Sequence, residues 1–268
     1  MKRFIKEKLE VVQVLDVVDI GVTCPVRCRL SDGSIGIVKY QKNPFGNIVL
    51  INELIGSMIA DEIGLQIPEY GICNLSEDVI NDTNNNMEID YNNSGFSFFT
   101  VVHNSSFPII GKVLRMVSNK QAELIILFDQ IVNNYDRHDG NLIIEVLDGL
   151  AKLYIIDNSH IIRDFKNETL EYAYSDKCIL SDKIQKNNKE VYDKLCFGLG
   201  FKIEVLETEA QFIKKVINEN FFNRIKDSIP EEWLCNISKE DLNSMFDIIK
   251  KRIDNLDKII DIIKEGRK

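Results

Sequence analysis

The chain has 268 residues, 44% hydrophobic and 28% charged, enough to bury a substantial core in one large domain or two lobes. A net charge of −9 argues against a general nucleic-acid binder, which would more often be basic. The start, Met1-Lys2-Arg3-Phe4-Ile5-Lys6, has no apolar signal-peptide core after it, and no apolar run approaches the roughly 20 residues that span a bilayer.

The expectation is therefore a cytoplasmic protein with neither a membrane nor a nucleic-acid partner. Its six cysteines (24, 28, 73, 178, 196 and 235) read as free thiols. Cys24-x-x-x-Cys28 lacks the second Cys or His pair of a metal site.

In chain order, Leu9 to Val18 reads as a strand, Asp19 to Pro25 as a turn and Val26 to Leu30 as a second strand. Ser31-Asp32-Gly33-Ser34 is a hairpin signal leading to a third strand, Ile35 to Tyr40, which carries Lys39. Three short antiparallel strands are the economical reading. A helix is predicted from about Ile48 to Ile63, with Gly64 as its C-terminal cap. Leu50, Leu54 and Met58 form one apolar stripe. Gly56, Ser57 and Ala60 form a second, small one that could approach a sheet closely and bring Glu53 with it.

An extended piece is expected near 67–75, a surface loop over 81–94, and a buried strand from Phe96 to Val102 that connects two lobes. Ser118-x-x-Gln121 fits a capping box for an apolar helix ending at Asn133-Asn134. Leu142–Val146 and Ala151–Ile156 form a hairpin across Asp148-Gly149. The stretch from Ser159 to Ser181 has no clear period. From Lys183 onward the pattern is helical, with a helix start at Pro230-Glu231-Glu232-Trp233 and one final helix over about 241–264.

The segment Asp136-Arg137-His138-Asp139-Gly140-Asn141, followed by Asp157, carries the chemistry. In the hairpin register Asn141 faces Ile156, so Asp157 lies one step beyond the open end. Two hard oxygen ligands from distant positions meet there, which suits Mg²⁺ shared with substrate phosphates. Asp136, at the end of a buried helix, is placed to accept the proton of an incoming hydroxyl.

Lys39 on the third strand suits α/β-phosphates of ATP, with Glu53 holding it. Gly21-Val22-Thr23 sits where a phosphate-covering loop would be, although it is no complete glycine-rich fingerprint. His138 is read as orienting the loop and is grouped with the nucleotide-binding positions. His160 is either a packing residue at the hairpin end or a group supporting the site. His103 is incidental, and Trp233 belongs to the core.

These residues resemble a family. Asp136-Arg137-His138-Asp139-Gly140-Asn141 is similar to the D-x-H-x-x-N catalytic loop of HipA-like kinases and of phosphatidylinositol kinases, and Ile156-Asp157-Asn158-Ser159-His160 to their metal-binding segment. Ser159 favours the HipA-like side. Gly21-Val22-Thr23-x-Pro25, Val38-Lys39, Asn52-Glu53-Leu54, Gly64-Leu65-x-Ile67-Pro68, Ile229-Pro230-x-x-Trp233 and Arg252 follow in the same order, over roughly 10–265.

The resemblance implies an α+β, two-lobed protein-kinase-like fold. A small antiparallel β-rich lobe would span about 1–100 and a helical lobe about 101–268. ATP and Mg²⁺ would lie in the cleft near Phe98–Val102, with Asp136 as base, Asn141 and Asp157 as metal ligands, Lys39 on phosphate and Glu53 paired to it. The acceptor would be a Ser/Thr hydroxyl of a protein, including the kinase itself, and a regulatory or antitoxin-like partner is implied. Three other readings stay open: a small-molecule or lipid kinase, a catalytically weak nucleotide-binding module that regulates a partner, and transfer of AMP in place of phosphate.

Overall fold

The computed structural model describes residues 3–18, 23–41, 43–83, 93–102, 106–108, 113–119, 121–147, 149–163 and 168–267. Gly21, Val22, His103 and Asp148 lie outside them, as does most of the expected 81–94 loop; residues 81–83 end a short helix instead.

Strands β1 (Phe4–Val17), β2 (Val26–Leu30) and β3 (Ile35–Lys39) form an antiparallel meander, as the alternation in the sequence requires. In β2 the inward residues are Val26, Cys28 and Leu30, separated by the exposed Arg27 and Arg29. Three antiparallel strands are not the whole sheet. β4 (Tyr70–Leu75) and β5 (Gly95–Val101) complete a closed barrel in the order β1-β2-β3-β5-β4. Closure runs through a parallel pairing of β1 with β4, from Phe4↔Tyr70 to Glu10↔Asn74. The local pattern cannot reveal a partner some 60 residues away. Cys28 and Cys73 both lie inside the barrel, and burial pushes the Cys28 thiol up to about 12.

Helix α1 (Ile48–Glu62) follows β3. It ends in a Schellman motif, with Leu65 N–H on Ala60 O (2.9 Å), Gly64 N–H on Asp61 O (3.3 Å) and Gly64 at φ +83°. Every residue from Val49 to Ala60 is buried, so the helix packs on all sides and not only along its two stripes. Its apolar side chains share one cluster with Leu114, the next long helix and the C-terminal helices, whereas the barrel interior forms a second cluster.

After the short helix α2 (Glu77–Thr83) and β5, strand β6 (Ser106–Pro108) joins the hairpin β7 (Leu142–Leu147) and β8 (Leu150–Ile155) in a three-stranded sheet. Between them runs α3 (Ala122–Ile131), buried throughout. The expected capping box does not form. Ser118 Oγ donates to Ala151 O (3.0 Å) on the hairpin, and Gln121 spends its amide on Gly64 O (2.8 Å) and Gln66 N–H (3.2 Å). Here long-range partners outcompete a local cap.

The aperiodic 159–181 stretch contains two short helices, α4 (Leu170–Tyr174) and α5 (Asp176–Ile179). Then come α6 (Lys183–Asn187), α7 (Lys189–Leu199), α8 (Ile203–Val216), α9 (Glu219–Ser228), α10 (Lys239–Asp254) and α11 (Leu256–Gly266). The segment after Pro230 is a single 3-10 turn, Glu231–Leu234, rather than the start of a long helix. The turn is anchored by Trp233, which is wholly buried and donates its Nε1 hydrogen to Phe96 O at the start of β5 (2.7 Å). The single final helix is two, broken at Asn255, whose side chain turns back onto Lys251 O (2.8 Å). No helix among the described residues is long and apolar enough to cross a membrane.

Candidate active site

Three segments converge. β3 delivers Lys39, α1 delivers Glu53, and the end of β8 delivers Asp157. Lys39 Nζ donates to Glu53 Oε1 and to Asp157 Oδ1, the latter at 2.9 Å. Glu53 Oε2 accepts the Asn158 N–H (3.0 Å), and Ser159 donates both its N–H (3.2 Å) and its hydroxyl to Asp157 Oδ1. Lys39 and Glu53 are 8% and 2% exposed, so this pair lies out of water, while the Asp157 side chain, 36% exposed, stays open to it.

Burial alone would lower the Lys39 ammonium, but Glu53 and Asp157 outweigh it and hold it above its ordinary value. Burial alone would raise the Asp157 carboxyl; Lys39 and Ser159 outweigh that and hold it well below the usual carboxylate range. For Glu53 burial prevails over the pull of Lys39 and pushes the carboxyl upward.

The approach of α1 to this segment is set by Gly56. A Cβ there would lie 2.6 Å from Asn158 Cβ and 2.8 Å from its Cγ. Gly56, in the small stripe of α1, therefore packs on the segment after Asp157. Asn52 adds a second grip, with Nδ2 donating to Ser159 O (2.8 Å) and Ile161 O (3.3 Å). Gly56→Val is expected to lower stability by about 1–3 kcal/mol, because the overlap is with a side chain rooted in the backbone. The urea midpoint checks it: an unchanged value would mean that α1 does not sit this close.

Asp136 and Asn141 come from the loop after α3. Asp136 is exposed, and its carbonyl accepts the Asn141 side-chain N–H (2.7 Å). That bond takes one amide hydrogen and fixes the orientation of the side chain, with Asn141 Oδ1 as its acceptor end. The hairpin register is the expected one, with Ile156 N–H on Asn141 O (3.0 Å). Asp157 adopts φ +57°, a left-handed conformation that turns the chain just beyond the hairpin. His138 caps the 3-10 turn Asp139–Asn141, its Nδ1 accepting the Gly140 N–H (3.0 Å).

Arg137 is a residue that sequence reasoning passed over. Its side chain is wholly buried. It makes a three-bond contact with the buried Asp129 of α3 (2.8–3.2 Å), and Nη1 donates to both Asn141 O and Ile156 O at 3.1 Å. One side chain thus ties the two ends of the hairpin that carry Asn141 and Asp157. Around it Asp129 also accepts from Asn134 Nδ2 (2.9 Å) and Tyr192 OH (3.0 Å), and Asn134 Oδ1 accepts the Asp136 N–H (2.9 Å). The available signal was a carboxylate, Asp129, directly after the apolar run Leu124–Phe128.

The other predicted positions are more dispersed. Thr23 is buried at 4% exposure in the β1–β2 turn; its neighbours Gly21 and Val22 lie outside the described residues. In the Phe98–Val102 segment, Phe98 joins the large core and Phe99 the barrel interior, while Thr100 to Val102 are half-buried. His160 packs edge-on against Phe45, ring centroids 5.4 Å apart. Among the described residues no three His, Cys, Asp or Glu side chains converge as a metal cage.

The family model described as HipA-like kinase matches residues 11–259. The chain belongs to the HipA-like kinase family. No curated protein matches it. Among solved structures, this HipA-like kinase is similar to the Helicobacter pylori proinflammatory kinase CtkA, with a TM-score of 0.56 at 11% identity over 96% of each chain. It is also similar to the Golgi casein kinase with Mn/ADP bound, with a TM-score of 0.54 at 8% identity, covering 97% of this chain and 74% of that one. At such identities these likenesses establish the kinase-like fold. Together with the family they make the protein a phosphotransferase with a β-rich N-terminal region and a helical C-terminal region.

Proposed function

We propose that this HipA-like kinase transfers the γ-phosphoryl group of ATP, with Mg²⁺, to a Ser or Thr hydroxyl of a protein, itself included. The observation that carries the reading is the Lys39–Glu53–Asp157 cluster, whose Asp157 follows Ile156, the residue paired by its N–H with Asn141 O at the end of the hairpin. The residues fit the groups they would hold. Asn141 Oδ1 and the Asp157 carboxylate are hard oxygen donors, and Mg²⁺ needs only one or two such side chains beside phosphate oxygens. A fold neighbour that holds manganese and ADP supports the pairing of a nucleotide with a divalent metal.

Bound Mg²⁺–ATP supplies the phosphoryl group and neutralises its charge. The chain's own residues position the rest. Lys39, held by Glu53, presents its ammonium to the α/β-phosphates. Asp136 accepts the acceptor's hydroxyl proton as the new O–P bond forms and the bond to the ADP oxygen breaks. Arg137 keeps Asn141 and Asp157 in register without touching substrate. The lobes are proposed to meet near residue 100, with the small lobe over about 1–100.

Intact-mass spectrometry of the protein incubated with Mg²⁺ and ATP tests this. The expected result is a gain of phosphate mass that a chelator abolishes and that maps to Ser or Thr. A gain of AMP mass would replace phosphoryl by nucleotidyl transfer. Phosphorylation only of an added small molecule or lipid would move the acceptor to that class.

A further inference from the structure

Asp157 and Ser159 stand two positions apart, the spacing at which an aspartate side chain can accept the N–H two residues on. Ser159 closes that turn twice. Its N–H (3.2 Å) and its hydroxyl both donate to Asp157 Oδ1. Lys39 Nζ donates to the same oxygen at 2.9 Å. An ionised carboxylate has about two lone-pair sites on each oxygen, so Oδ1 is saturated. None of the described residues donates to Oδ2. Ser159 is itself held fast: it is 1% exposed, and its carbonyl accepts from Asn52 Nδ2 of α1 (2.8 Å).

With nucleotide bound, Lys39 turns to the phosphates and leaves Asp157. The two Ser159 donors remain, and they alone fill both sites of Oδ1. Only Oδ2 is then left for a cation. Ligation through one oxygen suits Mg²⁺, which takes about six ligands in near-octahedral geometry. It disfavours Ca²⁺, which reaches about six to eight ligands, often by taking both oxygens of a carboxylate.

We propose that Ser159 is a positioning residue that sets the metal selectivity of this site. By occupying Asp157 Oδ1 it confines the carboxylate to ligation through Oδ2, and so favours Mg²⁺ over Ca²⁺. This selectivity rests on the nucleotide–metal reading of Asp157.

Calorimetric titration of the full chain with ADP, in excess Mg²⁺, in excess Ca²⁺ and with a chelator, reads the ratio of the two metal-dependent affinities. ADP carries the α/β-phosphates assigned to Lys39. The wild type is expected to bind ADP more tightly with Mg²⁺ than with Ca²⁺. Ser159→Ala removes the hydroxyl and keeps the N–H. It should lower the Mg²⁺/Ca²⁺ ratio roughly tenfold, the low end for one hydrogen bond to a charged group. A purely structural loss would weaken binding with both cations alike and leave the ratio where it was. The thermal transition verifies that the variant is folded.

An unchanged ratio in folded Ser159→Ala, or a wild type that binds ADP equally well with either cation, would overturn the role of Ser159. Wild-type ADP binding that the chelator leaves unaltered would overturn the metal reading of Asp157, and the selectivity with it. The chelator arm therefore separates failure of that reading from failure of Ser159 alone.

Discussion

Asp136→Asn is expected to lower phosphoryl transfer by about a hundred- to ten-thousandfold while leaving Mg²⁺–nucleotide affinity within about a factor of two. The asparagine keeps the size of the side chain. It also keeps the backbone carbonyl that accepts the Asn141 amide (2.7 Å) and the N–H that Asn134 Oδ1 accepts (2.9 Å), so the loop should not move. What disappears is the carboxylate that takes the hydroxyl proton. The side chain is exposed, so removing its charge leaves no buried partner unpaired. Rate and binding should therefore separate. Calorimetric titration of nucleotide beside the rate of phosphate incorporation measures the split. A variant that turns over at the wild-type rate would remove Asp136 from the base role; one that loses nucleotide binding would make it a structural residue.

Asp129→Ala is expected to destabilise the protein by about 3–5 kcal/mol, because it strands a guanidinium that is buried with it. Arg137 and Asp129 both have side chains with 0% exposure, so water cannot replace the lost carboxylate. Burial alone would lower the Arg137 guanidinium, but Asp129 outweighs it and holds the charge above its ordinary value. The same carboxylate accepts from Asn134 and Tyr192, so two further donors lose their acceptor with it. Asp129→Leu combined with Arg137→Met should recover part of the stability, since a buried pair replaced by apolar groups is often neutral.

The double variant should still lose activity, because the guanidinium that bridges Asn141 O and Ile156 O is gone and only the backbone bond from Ile156 N–H to Asn141 O remains. Urea unfolding of the two single variants and the double variant gives the coupling. Additive losses would show that the pair does not act as a unit.

How much of this was legible in advance differs by element. The β2–β3 hairpin, α1 with its glycine end, and the β7–β8 register were readable because each rests on near neighbours in sequence. In those places Ser31-Asp32-Gly33-Ser34, Gly64 and Asp148-Gly149 act locally. Failures fall where a distant group competes. Ser118 and Gln121 have the letters of a capping box, yet the hairpin and the end of α1 take their side chains. The β1–β4 pairing that closes the barrel joins residues about 60 apart, and alternation in either strand is silent about it. Gly56 was noticed as small, but its neighbour proved to be Asn158, 102 positions later.

The amino-acid order by itself determined which chemical groups this kinase has and at what spacing. It carries Lys39 on a strand, Glu53 on the following helix, Asp136 and Asn141 on one loop, and Asp157 beyond a hairpin; their residue types and the local turns sufficed to name a phosphotransferase. Only the tertiary structure decided how they are held. It joined Lys39 to both Glu53 and Asp157, sealed Arg137 against Asp129, and clamped Asn52 of α1 onto Ser159 O and Ile161 O. Each of these depends on which side chains burial forces together once water is excluded. Desolvation makes a charge or a polar atom choose a partner by position in space, and sequence spacing encodes that choice only where the chain turns back on itself nearby.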